Sequence, residues 1–167
     1  MKKKCANCGN EFEPREDHHK YCPDCISSHS GKQSSLSGLL LQSYYDALGN
    51  ELKEVYIGIP EKLANLFATS NPALATKQLR DFFSMISRAR KKAIIQRKMD
   101  AVKPILYQCL THLNYQLERN VVPESFYKFM EHHLLLAEKD PESLEGFYHH
   151  LDSIVCYFPT RREKGGK

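Results

Sequence analysis

The sequence predicts an all-α protein, a bundle of five to six helices preceded by a small cysteine-rich module. Three observations lead there. Apolar residues recur at helical spacing from residue 36 almost to the end, no stretch alternates as a strand does, and four of six cysteines fall within the first 25 residues. At 167 residues the chain has room for one ordinary domain and an appendage. Hydrophobic and charged contents of 41% and 26% are those of a globular chain.

The amino-terminal cysteines come as two pairs, Cys5-x2-Cys8 and Cys22-x2-Cys25. Each pair can clamp a metal from one tight turn, and the intervening loop brings the second pair round to close a tetrahedron. Four thiolates suit one structural zinc ion, which asks only for tetrahedral geometry and is not reduced. Gly9 follows the first pair, where such a turn favours positive φ, and Pro23 stiffens the second. Glu11-Phe12-Glu13-Pro14-Arg15 reads as a short strand and a turn. A closed ligand shell leaves no open position for a catalytic water, and nothing here supplies the βαβ context of a redox pair. Residues 1–33 are therefore predicted to be a four-cysteine zinc ribbon and the start of a Ser-rich linker, 34–158 a helical domain, and 159–167 a basic tail.

Along the helical part, Leu36, Leu39, Leu40, Tyr44 and Leu48 mark a first stripe. Leu63, Leu66 and Phe67 mark a short helix opened by Ile59-Pro60-Glu61, with Pro60 suited to a first turn. Thr76 is predicted to cap a long helix with Leu79, Phe82, Phe83, Ile86 and Ile94 on its apolar face, stopping or bending between Asp100 and Pro104. Val102, Ile105, Leu106, Cys109, Leu110, Leu113 and Leu117 carry the next helix, and Phe126, Phe129, Met130, Leu134 and Ala137 the one after. Asp140 and Pro141 open the last, with Leu144, Phe147, Tyr148, Leu151, Ile154 and Val155 as its stripe. Cys109 and Cys156, each alone in an apolar helical stretch, read as small hydrophobes.

Charge is unevenly placed. Thr76 to Pro104 holds nine Lys/Arg against two Asp, Ile105 to Phe158 three basic against eight acidic residues, and Pro159 to Lys167 four basic against one. At 100° per residue, Lys77, Arg80, Arg88, Lys91, Lys92 and Lys98 gather opposite the apolar face of the Thr76 helix, whereas Arg90 and Arg97 fall on the apolar side. A single-sign stripe along a helix is the footprint expected for a phosphate backbone. No aromatic interleaves it, so the stripe predicts sugar-phosphate contact with little sequence preference.

Enzyme signatures are missing: no G-x4-G-K-[ST], no H-E-x-x-H, no G-x-S-x-G. His132-His133 and His149-His150 are adjacent pairs whose side chains diverge on a helix and cannot chelate one metal together. No apolar run approaches the roughly 20 residues that cross a bilayer. Met1-Lys2-Lys3-Lys4-Cys5 lacks an apolar signal core, so a cytosolic protein is expected.

Several segments, in order, resemble a known family. Ile59-Pro60-Glu61-Lys62-Leu63-Ala64, Thr76-Lys77-Gln78-Leu79-Arg80-Asp81-Phe82-Phe83, Pro104-Ile105-Leu106-Tyr107, and Gly146-Phe147-Tyr148 through Val155-Cys156-Tyr157-Phe158 are similar to the small subunit of the type III-A CRISPR effector complex, the second of the Csm proteins. The resemblance covers Leu40 to Phe158 and implies a non-catalytic helical subunit of a prokaryotic antiviral ribonucleoprotein. It implies stacking of copies along a filament of backbone subunits, contact with the guide RNA-target RNA duplex, and a large polymerase-like subunit as a further partner. Lys77 and Arg80 match the family's basic element; Arg88, Lys91 and Lys92 extend it. The sequence departs where the family often has an Arg after Pro-x-Leu-x-Tyr, since Cys109, Leu110 and Thr111 stand before His112. The ribbon is extra to the family pattern. Residues alone leave an alternative, a zinc-ribbon DNA-binding regulator whose helices serve dimerisation. That reading wants positive charge around the ribbon, yet residues 1–33 carry six basic and five acidic groups.

Overall fold

A computed structural model describes residues 36–159, together with the backbone of two short strands, Lys3–Lys4 (β1) and Glu11–Phe12 (β2). The chain divides into two compact units, residues 1–35 and 36–167. In the first, β1 and β2 pair antiparallel, Lys3 opposite Phe12 and Lys4 opposite Glu11. Cys5, Cys8, Cys22 and Cys25 lie outside the described residues, as does the chain beyond Pro159.

Among the described residues the second unit has five α-helices: Ile59–Thr69 (α1), Thr76–Gln96 (α2), Lys103–Glu118 (α3), Glu124–Ala137 (α4) and Pro141–Tyr157 (α5). The carboxy-terminal helix α5 packs against α1, α2 and α4, and α3 closes the other side against α2 and α4. Aromatic rings fill the space between them. Phe67 of α1 meets Phe126 of α4 edge-on at 5.2 Å, and Phe126 meets Phe82 of α2 at 5.5 Å. Offset edge-to-face pairs of this kind favour one arrangement of rings over others. The predicted stripe residues of α3, α4 and α5 supply most of the core: Leu106, Cys109, Leu113, Phe126, Phe129, Met130, Phe147 and Leu151 are all buried. Burial pushes the Cys109 thiol up to about 12, so it behaves as a small apolar group.

Helix ends follow local chemistry, with some corrections. Asp140 caps α5, its Oδ1 accepting from the Ser143 amide at 2.7 Å, and Pro141 occupies the first turn as predicted. Thr76 is the first helical residue of α2; the cap position belongs to Ala75, which has no side-chain acceptor. The helix stops at Gln96, earlier than expected, because Arg97 turns into the left-handed region at φ 51° and returns its amide to Ala93 O at 2.8 Å. Pro104 breaks nothing: it sits in the first turn of α3, where its missing N–H costs no hydrogen bond. Ile94 and Cys156, expected among the buried apolar residues, are exposed.

The largest correction concerns the first stripe. Leu36–Leu39 forms a single 3-10 turn, and residues 40–58 run as a strap across the bundle that is irregular apart from a Tyr45–Glu51 bridge and a second 3-10 turn at Lys53–Val55. Leu39, Leu41 and Tyr44 bury their side chains, but Leu48 is 87% exposed. Asp46 explains why no helix forms there. Its Oδ1 accepts from the amides of Leu48 (2.8 Å) and Asn50 (2.9 Å), closing a loop whose Gly49 takes φ 83°. Helical spacing over this stretch picked out Leu39 and Tyr44 as buried but missed Leu41, misplaced Leu48 and did not say how the backbone runs.

Four histidines hold the strap down. His132 donates to Leu41 O at 2.7 Å, and the Tyr44 hydroxyl is hydrogen-bonded to His133 Nδ1 at 2.5 Å. His149 Nδ1 donates to Glu51 Oε1 at 2.6 Å, and His150 Nδ1 donates to Val55 O at 2.9 Å. Adjacent histidines on one helix diverge, as the sequence indicates, and the divergence lets each pair grip the strap at two points. Tyr44 also fixes the approach to α5. A Cβ at Gly146 would lie 2.5 Å from Tyr44 Cβ, so only glycine lets the ring in.

Replacing Gly146 with Ala should destabilise the bundle by roughly 1–3 kcal/mol through this clash, outweighing the ~1 kcal/mol gained in helix propensity. Urea denaturation of the variant reads the difference. A second prediction concerns acid. Burial holds His133 well below the ordinary histidine range, helped by the neighbouring His150 and His132, and holds His150 at about 4. Both stay neutral in the fold but take a proton when unfolded. Their contribution is therefore complete above about pH 6.5 and declines as pH falls toward 4, at up to about 1.4 kcal/mol per pH unit for each. Thermal midpoints across pH 4–7 should fall on the acid side, and His150→Gln should flatten that dependence.

Candidate nucleic-acid interface

The basic face of α2 is built by subtraction. Leu79, Phe82, Ile86, Ala89 and Ala93 turn inward and are buried, leaving the opposite side to solvent. Lys77, Arg80, Arg88 and Lys91 are exposed there and Lys92 is half-buried. At 1.5 Å per residue, Lys77 to Lys91 spans about 21 Å of helix. Asp81 is the one acid on this face, and it pairs with Lys77 at 3.0 Å with both side chains well exposed. Such an i,i+4 surface pair is worth only a few tenths of a kcal/mol and is readily exchanged for a phosphate. The remaining cations of the stripe have no acidic partner among the described residues.

Lys98 departs from the expected stripe. The helix has ended, and Lys98 is extended backbone before the short 3-10 turn Met99–Ala101. It is exposed, but the helical angle that placed it with Arg80 no longer applies.

Arg90 resolves differently again. It turns to α5, where Nε and Nη2 donate to the two carboxylate oxygens of Glu145 at 2.7 and 2.6 Å. Its guanidinium also lies 4.4 Å from the centre of the Tyr148 ring, which stacks on Phe83. Glu145 further meets His149 Nε2 at 3.3 Å, so His149 stands between Glu145 and Glu51. Tyr56 closes this network with its hydroxyl on Glu51. Burial alone would raise the Glu51 carboxyl, but the bonds from Tyr56 and His149 outweigh it and hold it low. Among the described residues no group of three His, Cys, Asp or Glu side chains converges on a metal position.

The end of α2 carries features that the charge stripe does not capture. Ile95 is 79% exposed four residues after Lys91, on the same face, and Ile94 is 56% exposed on the flank toward α5. Beside them a groove of about 480 Å³ is lined by Tyr45 of the strap, Arg97, Leu144 and Glu142 among others. No local signal in the sequence places Tyr45 there. Residue 45 reaches the end of α2 only because the strap crosses the bundle.

Among the described residues the helical unit concentrates its solvent-facing cations on one face of α2, and its histidines are committed to internal contacts. The chain belongs to the Csm2 Type III-A family, whose model matches residues 50–164, and so to the structural subunits of type III-A CRISPR effector complexes. All of α1 to α5 falls inside that span, and the four amino-terminal cysteines fall before it. No curated protein and no solved structure matches the chain.

Proposed function

We propose that this chain is the non-catalytic small subunit that lays the basic face of α2 along RNA held in a type III-A effector complex, as part of cytoplasmic antiviral defence. One observation carries the reading: in a chain of this family, Arg80, Arg88, Lys91 and Lys92 stand on one outward face without acidic partners among the described residues. Cations so placed release counterions when they meet phosphates, which gives affinity without reading bases. The partners are the guide RNA-target RNA duplex, the backbone and large polymerase-like subunits, and further copies of this chain. Lys77 and Lys98 flank the contact.

The membrane plays no part in this reading; among the described residues no helix is long and apolar enough to cross one. A DNA-binding regulator is the weaker alternative, because the charge sits on α2 and not around the ribbon. It would shift an operator fragment by itself.

Replacing Arg80, Arg88, Lys91 and Lys92 together with Ala should weaken RNA binding by the assembled complex. The slope of log K against log salt should shrink by about 3, since each lost phosphate contact removes roughly 0.7–0.9. An unchanged slope would remove the phosphate contact from α2.

The amino-terminal module completes the proposal. Cys5, Cys8, Cys22 and Cys25 hold one structural zinc ion, on the support of their paired spacing, and the module docks on a neighbouring subunit. The full chain should carry one zinc per molecule by elemental analysis. Removing residues 1–32 should impair incorporation into the complex while leaving the helical circular-dichroism signal in place; normal incorporation would make the module dispensable.

A further inference from the structure

The groove beside the end of α2 has a composition that a phosphate track alone does not need. Its floor is apolar, made by Ala93, Ile94 and Leu144. One wall is the half-buried ring of Tyr45, whose hydroxyl donates to Glu142 O at 3.0 Å and so ties the strap to the first turn of α5. Two of the lining side chains carry charges with no partner among the described residues, the Arg97 guanidinium and the Glu142 carboxylate. The other two charges in the lining, Arg90 and Glu145, are held by each other.

We propose that this groove takes one unstacked nucleobase of the bound RNA, with guanine preferred. The inference rests on the RNA-contacting role proposed above and adds a base contact to it. A nucleotide offers what the lining asks for: flat apolar faces for Ile94, Leu144 and the Tyr45 ring, a phosphate for Arg97, and a donor edge for Glu142. Stacking on an aromatic ring contributes about 1–3 kcal/mol per base and is how single-stranded nucleic acid is commonly held. An aliphatic side chain from a neighbouring protein would match the floor alone.

The preference for guanine follows from the carboxylate. Guanine N1–H and N2–H are two adjacent donors that can meet both oxygens of Glu142. Adenine and cytosine set an acceptor nitrogen beside their amino group, and uracil flanks its one N–H with carbonyls. Glu142 lies in the first turn of α5, where the helix dipole favours a charged carboxylate. The groove lies on the flank of α2 beside the basic face: Ile94 in its lining comes three residues after Lys91, about 60° round the helix and about 4.5 Å along it, so a strand crossing Arg88 and Lys91 passes its edge.

The chain contains no tryptophan, so Tyr45→Trp in the full-length protein gives a single fluorescent reporter in the wall of the groove. The probes are a short oligouridine, the same oligonucleotide with one central guanosine, one with an abasic site there, and guanosine monophosphate alone. The guanosine oligonucleotide should quench the reporter and bind about tenfold tighter than oligouridine, a gap within the range of one good bidentate base contact. Glu142→Gln should erase that gap while leaving oligouridine binding intact. Glu142 is exposed, so this substitution does not threaten the fold.

Equal affinity for the guanosine, uridine and abasic oligonucleotides, with binding still lost on replacing the α2 cations, would overturn the base pocket and leave the phosphate contact standing. If no oligonucleotide binds through the α2 cations, quenching by guanosine monophosphate that Glu142→Gln abolishes would support the pocket apart from that contact, and its absence would overturn it. A reporter that responds to the backbone protein subunits and never to RNA would assign the groove to a protein side chain and overturn the proposal as well.

Discussion

Tyr44 enters the core against a helix that could not admit it if residue 146 had a side chain. The notch at Gly146 costs α5 some helix propensity, and in return the strap gains a buried anchor whose hydroxyl reaches His133. Much else is set by that seat. With Tyr44 fixed, Leu41 and Val55 present their carbonyls to His132 and His150, and Glu51 meets His149. Tyr45, the next residue, is turned outward to the end of α2. Leu41 O and Val55 O, which the strap's own turns leave over, thereby find donors at defined points on α4 and α5, as buried backbone requires.

The same economy shapes the basic helix. A 21-residue helix with so many cations and so little acid repels itself along its length, and its apolar stripe must be well buried for it to persist. Phe82 and Phe83 spread that burial over three neighbours, Phe82 touching His112 of α3 and Phe126 of α4 and Phe83 stacking on Tyr148 of α5. Arg90, which would otherwise place a charge against the core, is neutralised by Glu145 in a bidentate, partly buried pair. Of the outward cations Lys77 pairs with Asp81, while Arg80, Arg88, Lys91 and Lys92 have no acidic partner among the described residues.

The histidines show how a residue type invites the wrong chemistry. Eight histidines, with two adjacent pairs in the helical part, invite a search for a metal or a general base. In the fold, His133 and His150 are fully buried, held neutral by burial, and directed at the strap. Their contacts tie α4 and α5 to the strap.

Periodicity determined the five helices, their inward residues and the buried aromatic core, because an apolar stripe at 3.6-residue spacing can be satisfied in few other ways. Asp140-Pro141 determined where α5 begins, and the count of cations determined that one face of α2 would be positive. Charge and spacing could not say that α2 stops at Gln96, since the left-handed turn at Arg97 leaves no local signature and moves Lys98 off the stripe. Nor could they say that residues 40–58 form a strap. Its apolar residues have helical spacing, and the side-chain contacts that hold it against the bundle come from residues about 90 to 100 positions away. The groove of Tyr45, Arg97 and Glu142 belongs to the same category: three residues far apart in the chain, brought together by where Tyr44 fits. Sequence set which surfaces had to be buried and which charged, and tertiary packing decided which charges stayed free and what stands beside them.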